Sequence, residues 1–91
     1  MLVLSVRAMA MDHGDQPINT ASELGDWCKN ESEATFIGRG LKPYNWTASY
    51  SDEGNVLVAK GEWHVDAATV SVVCRVARGA HAEFASMTIS P

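Results

Sequence analysis

The chain has 91 residues, 46% of them hydrophobic and 20% charged, with three Trp; this composition folds around one core and leaves too little buried surface for two. Its net charge of -4 and isoelectric point near 5.1 exclude a general electrostatic attraction to phosphate backbones or anionic membrane surfaces, so nucleic acid is not an expected partner. No apolar run approaches the roughly 20 residues that a membrane-spanning helix requires, so membrane insertion is not expected either.

Residues 1–18 stand apart from a single α+β domain over 19–91. The apolar opening, closed by Ala8-Met-Ala10, fits an A-x-A cleavage site, but Arg7 comes late and the run is short for a signal peptide. The segment therefore reads either as a signal remnant or as an edge strand over residues 2–9. Residues 11–17, polar and carrying Gly14 and Pro17, read as a flexible link.

A helix is predicted from Thr20-Ala-Ser-Glu23, a capping box in which the Thr20 hydroxyl and the Glu23 carboxylate satisfy each other's backbone amides. Ala21, Leu24, Trp27 and Cys28 recur at spacings of three and four and form its apolar stripe, with Glu23, Asp26 and Lys29 opposite. Asn30-Glu-Ser-Glu33 either caps a second short helix toward Phe36 and Ile37 or belongs to the last turns of the first. Gly38, Gly40 and Pro43 end either version.

From Tyr44 the period changes to two. Strands are predicted over 44–51, 56–65, 68–78 and 81–90, separated by turns at Asp52-Glu-Gly-Asn55, Asp66-Ala67 and Gly79-Ala80. Connections this short permit antiparallel neighbours, hence a four-stranded meander covered on one face by the helix. A turn at Asp66-Ala67 sets Val65 against Ala68, Trp63 against Val70 and Ala59 against Cys74. Turns at Glu53-Gly54 and Gly79-Ala80 set Tyr50 against Leu57, Trp46 over Gly61, Cys74 against Ala85 and Val72 against Met87. All of these registers give one apolar inner face.

Cys74 lies in the middle of that face and Cys28 on the helix stripe that covers it, so a helix-to-sheet disulfide is expected, two separate buried thiols being the other reading. Closing a loop of roughly 45 residues, a bridge would contribute up to about 4 kcal/mol in the chain-entropy model. It would also imply an oxidising compartment, a periplasm or the cell exterior.

With residues 2–9 kept as a strand, the order strand, helix, four strands resembles the cystatin and monellin fold. Without them, a helix followed by four strands resembles the repeat of secreted β-lactamase inhibitory proteins. Both resemblances are of topology. No inhibitory loop of the Gln-Val-Val-Ala-Gly type is present, so protease inhibition does not follow from the first.

Chemistry is sparse. No G-x-S-x-G turn or Ser or Cys nucleophile with a partnered base occurs, and the expectation is a protein that is not an enzyme and has no cofactor. Asn30-Glu-Ser32 and Asn45-Trp-Thr47 match the N-glycosylation acceptor pattern, which bears only on a eukaryotic secreted protein. Met9, Met11, His13 and Asp15 form one Met/His cluster of the type soft cations use, so an alternative function is a small periplasmic Cu or Ag binder. On the outer sheet face the registers place Val58, Arg75 and Phe84 in one row, beside Lys60 and Val73. Val58, Lys60, Val73, Arg75 and Phe84 are therefore the candidate partner-binding surface, an apolar patch ringed by charge. The expected function is a non-catalytic secreted or periplasmic interaction domain that takes a protein partner, or a second copy of itself, through that face or through residues 38–45.

Overall fold

The computed structural model describes residues 16–91. Helix α1 (Ala21–Gly38) packs on one face of a four-stranded antiparallel sheet formed by β1 (Tyr44–Asp52), β2 (Val56–Val65), β3 (Ala68–Ala77) and β4 (Ser86–Ser90) in the order β1-β2-β3-β4. The described residues thus form an α+β meander with one helical layer. The strand expected over residues 2–9, the A-x-A site and the Met/His cluster lie outside the described residues.

The capping box closes as expected. The Glu23 amide donates to Thr20 Oγ1 at 3.1 Å, and Glu23 Oε1 accepts from the Thr20 and Asn19 amides at 3.0 and 2.9 Å. Of the two versions of the following segment, the continuous one holds: α1 runs unbroken through Asn30–Glu33 because its core stripe continues at four-residue spacing, Leu24, Cys28, Ser32 and Phe36, all buried. It stops where Gly40 takes φ of +79° and the Gly40 and Leu41 amides turn back to the Ile37 and Phe36 carbonyls, a Schellman closure that a residue with a Cβ would strain.

The β2–β3 hairpin has the predicted register throughout, from Val65 opposite Ala68 to Leu57 opposite Val76. The other two pairings are each shifted by two residues. In β1–β2, Tyr50 faces Ala59 and Asp52 faces Leu57, because the turn is Gly54-Asn55 closed by the Glu53 amide on the Val56 carbonyl. In β3–β4, Cys74 faces Met87 and Val72 faces Ile89, because Gly79-Ala80 is not a hairpin turn. Gly79 donates to the Ile18 carbonyl at 2.7 Å and Ala80 accepts from the Ile18 amide at 3.0 Å, after which a 3-10 turn, Ala82–Phe84, delays β4. A shift of two residues leaves every side chain on its original face, so the inner face survives both corrections.

The residues read as a flexible link end in paired backbone. Residues 16–18 run antiparallel to residues 79–82, with Pro17 bridging His81 and the Ala82 amide donating to the Gln16 carbonyl at 2.8 Å. This short clip buries Ile18 and Ala82 against the core formed by Leu24, Cys28, Leu57, Trp63, Val72 and Cys74.

Cys28 and Cys74 are joined, with 6.0 Å between Cα atoms and a separation of 46 positions in the chain. Both are fully buried. One turn further along the helix, Ser32 supplies a polar link between the layers. Its hydroxyl donates to the Cys28 carbonyl at 2.6 Å and accepts from Trp63 Nε1 at 2.8 Å, so a serine on a core stripe and an indole N–H beneath it satisfy each other.

Trp46 lies against Trp63 with ring centroids 4.9 Å apart and covers Gly61, where an added Cβ would fall 2.0 Å from the indole. The predicted contact of Trp46 with Gly61 is therefore present although the two are not register partners. Tyr50 makes the matching contact with the helix, since a Cβ on Gly25 would lie 2.2 Å from its ring. Glycines at both positions let aromatic side chains of β1 lie flat at the layer boundary.

Candidate functional site

The alternation of β1, β2 and β3 sends Thr47 and Ser49, Lys60 and Glu62, and Ser71 and Val73 to the sheet face away from α1. There they line a shallow hollow of about 460 Å³ floored by the Ala48, Gly61 and Val72 backbone. Gly61 serves both faces: its missing side chain admits Trp46 on the inside, and its backbone lies in the hollow's floor outside. The rim is hydroxyl-rich, with one cation from Lys60 and one anion from Glu62, a donor and acceptor set suited to hydrogen bonding with a peptide or polar ligand.

The predicted partner-binding residues separate in the structure. Lys60, Val73 and Arg75 stand on the outer face as expected, Lys60 and Arg75 exposed and Val73 half-buried. Val58 is also on that face but is only 2% exposed, so it cannot be a contact residue of an accessible patch. Phe84 is not in the row at all. Ser86 occupies the position opposite Arg75, and Phe84, 71% exposed, projects from the 3-10 turn. The contiguous apolar patch expected from Val58, Val73 and Phe84 is accordingly replaced by a polar hollow beside a separate exposed phenyl ring. A signal for this was in the sequence: extending β4 back to residue 81 puts His81 and Glu83 on the inner-face parity of Met87 and Ile89, against a core that has no partner for them.

A second hollow, about 270 Å³, opens between the N-terminal clip and α1, with Pro17, Ile18, Trp27 and Ala82 as its apolar part and Asp26 and Asn30 at its polar rim. The 38–45 loop carries two of the chain's exposed features, the Gly40 turn and Tyr44. The Tyr44 ring stacks on His64 at 5.5 Å and its hydroxyl donates to the Asp66 carbonyl at 3.0 Å, which fastens the start of β1 to the β2–β3 turn. Both glycosylation acceptor asparagines are exposed, whereas the Ser32 of the first tripeptide is committed to Trp63.

Among the described residues no group of three or more His, Cys, Asp or Glu side chains converges as a metal site would require. No described helix is long and apolar enough to cross a membrane. Comparison of the chain with models of protein families, with curated proteins and with solved structures finds no match in any of the three.

Proposed function

We propose that this chain is a non-catalytic protein-interaction domain of an oxidising compartment, periplasmic or secreted, and that its partner docks on the outer face of the sheet. The observation that carries the reading is the hollow of about 460 Å³ between β1 and β3, a concave polar surface on the side that the helix leaves uncovered. Two further features support it. The Cys28–Cys74 bridge fits a compartment where disulfides persist. The same bridge and the Ser32–Trp63 bond hold the sheet from behind, so the outer face is rigid and little ordering entropy is lost when a partner binds.

The paired substitutions Lys60→Glu and Val73→Glu replace the rim's cation with an anion and place a second carboxylate in the hollow without touching the core. Affinity capture from the native source with the wild-type chain, followed by titration of the purified partner, should give binding that this double variant loses at least tenfold. Asp26→Lys, on the helix side, should leave it unchanged. Equal binding by wild type and the double variant overturns the outer face as the docking surface.

A further inference from the structure

We infer that two copies of this chain pair through the outer edge of β1, in antiparallel register about a two-fold axis at Ser49, to form a continuous eight-stranded sheet. The inference concerns the free backbone edge of β1, not the outer-face hollow that Thr47 and Ser49 also line, and does not depend on partner binding there.

The hydrogen-bonding pattern of β1 makes this edge available. The Glu53 amide bonds to the Val56 carbonyl and closes the hairpin. Antiparallel alternation then assigns the backbone groups of Ser51, Ser49 and Thr47 to Val58, Lys60 and Glu62, and turns those of Ala48, Tyr50 and Asp52 outward. Among the described residues no strand pairs with that side of β1. Soluble proteins blunt such edges with lysine, proline, bulges or very short strands. The β4 edge is protected in this way, being five residues long and followed by Pro91. β1 has its one bulge at its start, between Tyr44 and Thr47, and the regular stretch from Thr47 to Ser51 holds no charge and no proline.

The occupant is a second copy because this stretch is self-complementary. Rotation about Ser49 sets Ser49 against Ser49, Thr47 against Ser51, and Ala48 against Tyr50, so hydroxyls meet hydroxyls and no like charges face each other despite the net charge of -4. Ala48 and Tyr50, the residues with outward backbone groups, fall opposite one another, and each such pair exchanges both of its hydrogen bonds. Tyr50, 49% exposed in one copy and resting on Gly25, then covers Ala48 of the other, whose methyl leaves room for the ring. An edge of five residues buries an area at the low end for specific interfaces, so the dimer is reversible and concentration-dependent.

Sedimentation velocity of the full chain across a concentration series tests this. The wild type should show a monomer–dimer equilibrium. Ala48→Pro removes an outward amide that β2 does not use and should give a monomer with unchanged circular dichroism. Ser49→Lys and Ser49→Glu, whose side chains point to solvent, should each weaken the dimer several-fold, and an equimolar mixture of the two should restore it by placing Lys opposite Glu. A wild type that stays monomeric at every concentration, a dimer that survives Ala48→Pro, or a mixture no tighter than its components overturns the inference. Ala48 and Ser49 also line the outer-face hollow, so the two readings are separated on the wild type and on the Lys60→Glu and Val73→Glu pair, which alters no residue of β1. A wild type that captures its partner but stays monomeric fails this inference alone, and a dimer that persists with no partner capture fails the outer-face reading alone.

Discussion

The helix is tied to the sheet at its middle and the strand ends are tied together at the rim, and the two sets of ties use different physics. In the middle, Cys28–Cys74 and Ser32–Trp63 are both fully or almost fully buried, and each partner has no water to replace the other if it is lost. At the rim, Arg78 ties two distant stretches, the β1–β2 turn and the residue before the helix cap, to the end of β3. Its Nε donates to the Gly54 carbonyl at 2.7 Å, its Nη1 to the Asn19 carbonyl at 3.1 Å, and its Nη2 to the Asp52 carboxylate. The arginine and the aspartate are both well exposed. Dry contacts contribute through what their loss leaves behind, whereas exposed ones compete with solvent for every bond they make. The scaffold should therefore depend on the centre for its stability and on the rim only for the arrangement of its turns.

The largest expected effect is at the bridge. Replacing Cys28 and Cys74 together by Ala releases a loop of 46 residues in the unfolded chain, which costs about 4 kcal/mol in the chain-entropy model. For a domain of 91 residues that is a large share of the total of roughly 5–15 kcal/mol. Urea unfolding of the double variant against the oxidised wild type measures it, with the slope of the transition reporting any change in the unfolded state. A loss smaller than that of the serine variant below would remove the bridge from its leading place. Next comes Ser32→Ala, which strands the Trp63 N–H in the core and should cost about 1–3 kcal/mol. The accompanying change in tryptophan fluorescence distinguishes this from a loss of helix propensity, since Ala favours the helix.

The centre was more legible in the sequence than the rim, and for physical reasons. Period-two alternation fixes which face a residue occupies, and it put each cysteine on the apolar side of its own element, where the bridge joins them. A two-residue turn at Asp66-Ala67 fixed one complete hairpin. The other hairpins slipped by two residues because nothing in a face pattern distinguishes registers that differ by two. Ser32 is not legible as a core residue because a polar residue interrupts an apolar stripe unless its partner is known, and that partner, Trp63, lies 31 positions away. The 3-10 turn was hidden for a related reason: the Gly79 amide and the Ala80 carbonyl bond to Ile18, a contact across most of the chain, so the chain does not turn directly from β3 into β4. The outer-face residues suffered most, since Phe84 owed its place in the row to that one turn.

The smallest effect is expected at the rim and is best seen against pH. The Arg78 guanidinium, and after it the Gly54 amide, hold the Asp52 carboxyl below its ordinary value of 3.8. A carboxyl whose folded-state pKa is depressed contributes stability above the unfolded pKa and loses it as pH falls through the folded one. Asp52→Asn removes that contribution, so wild type and variant should differ in melting temperature at neutral pH and converge as the solution is acidified below 3.8. Added salt should narrow the neutral-pH gap as well, because the pair is open to solvent. Ser32→Ala, which involves no titrating group, should show a gap that neither acid nor salt closes. If the Asp52→Asn gap persisted unchanged in acid, the rim would be acting through packing, as the centre does, and the division between the two would fail.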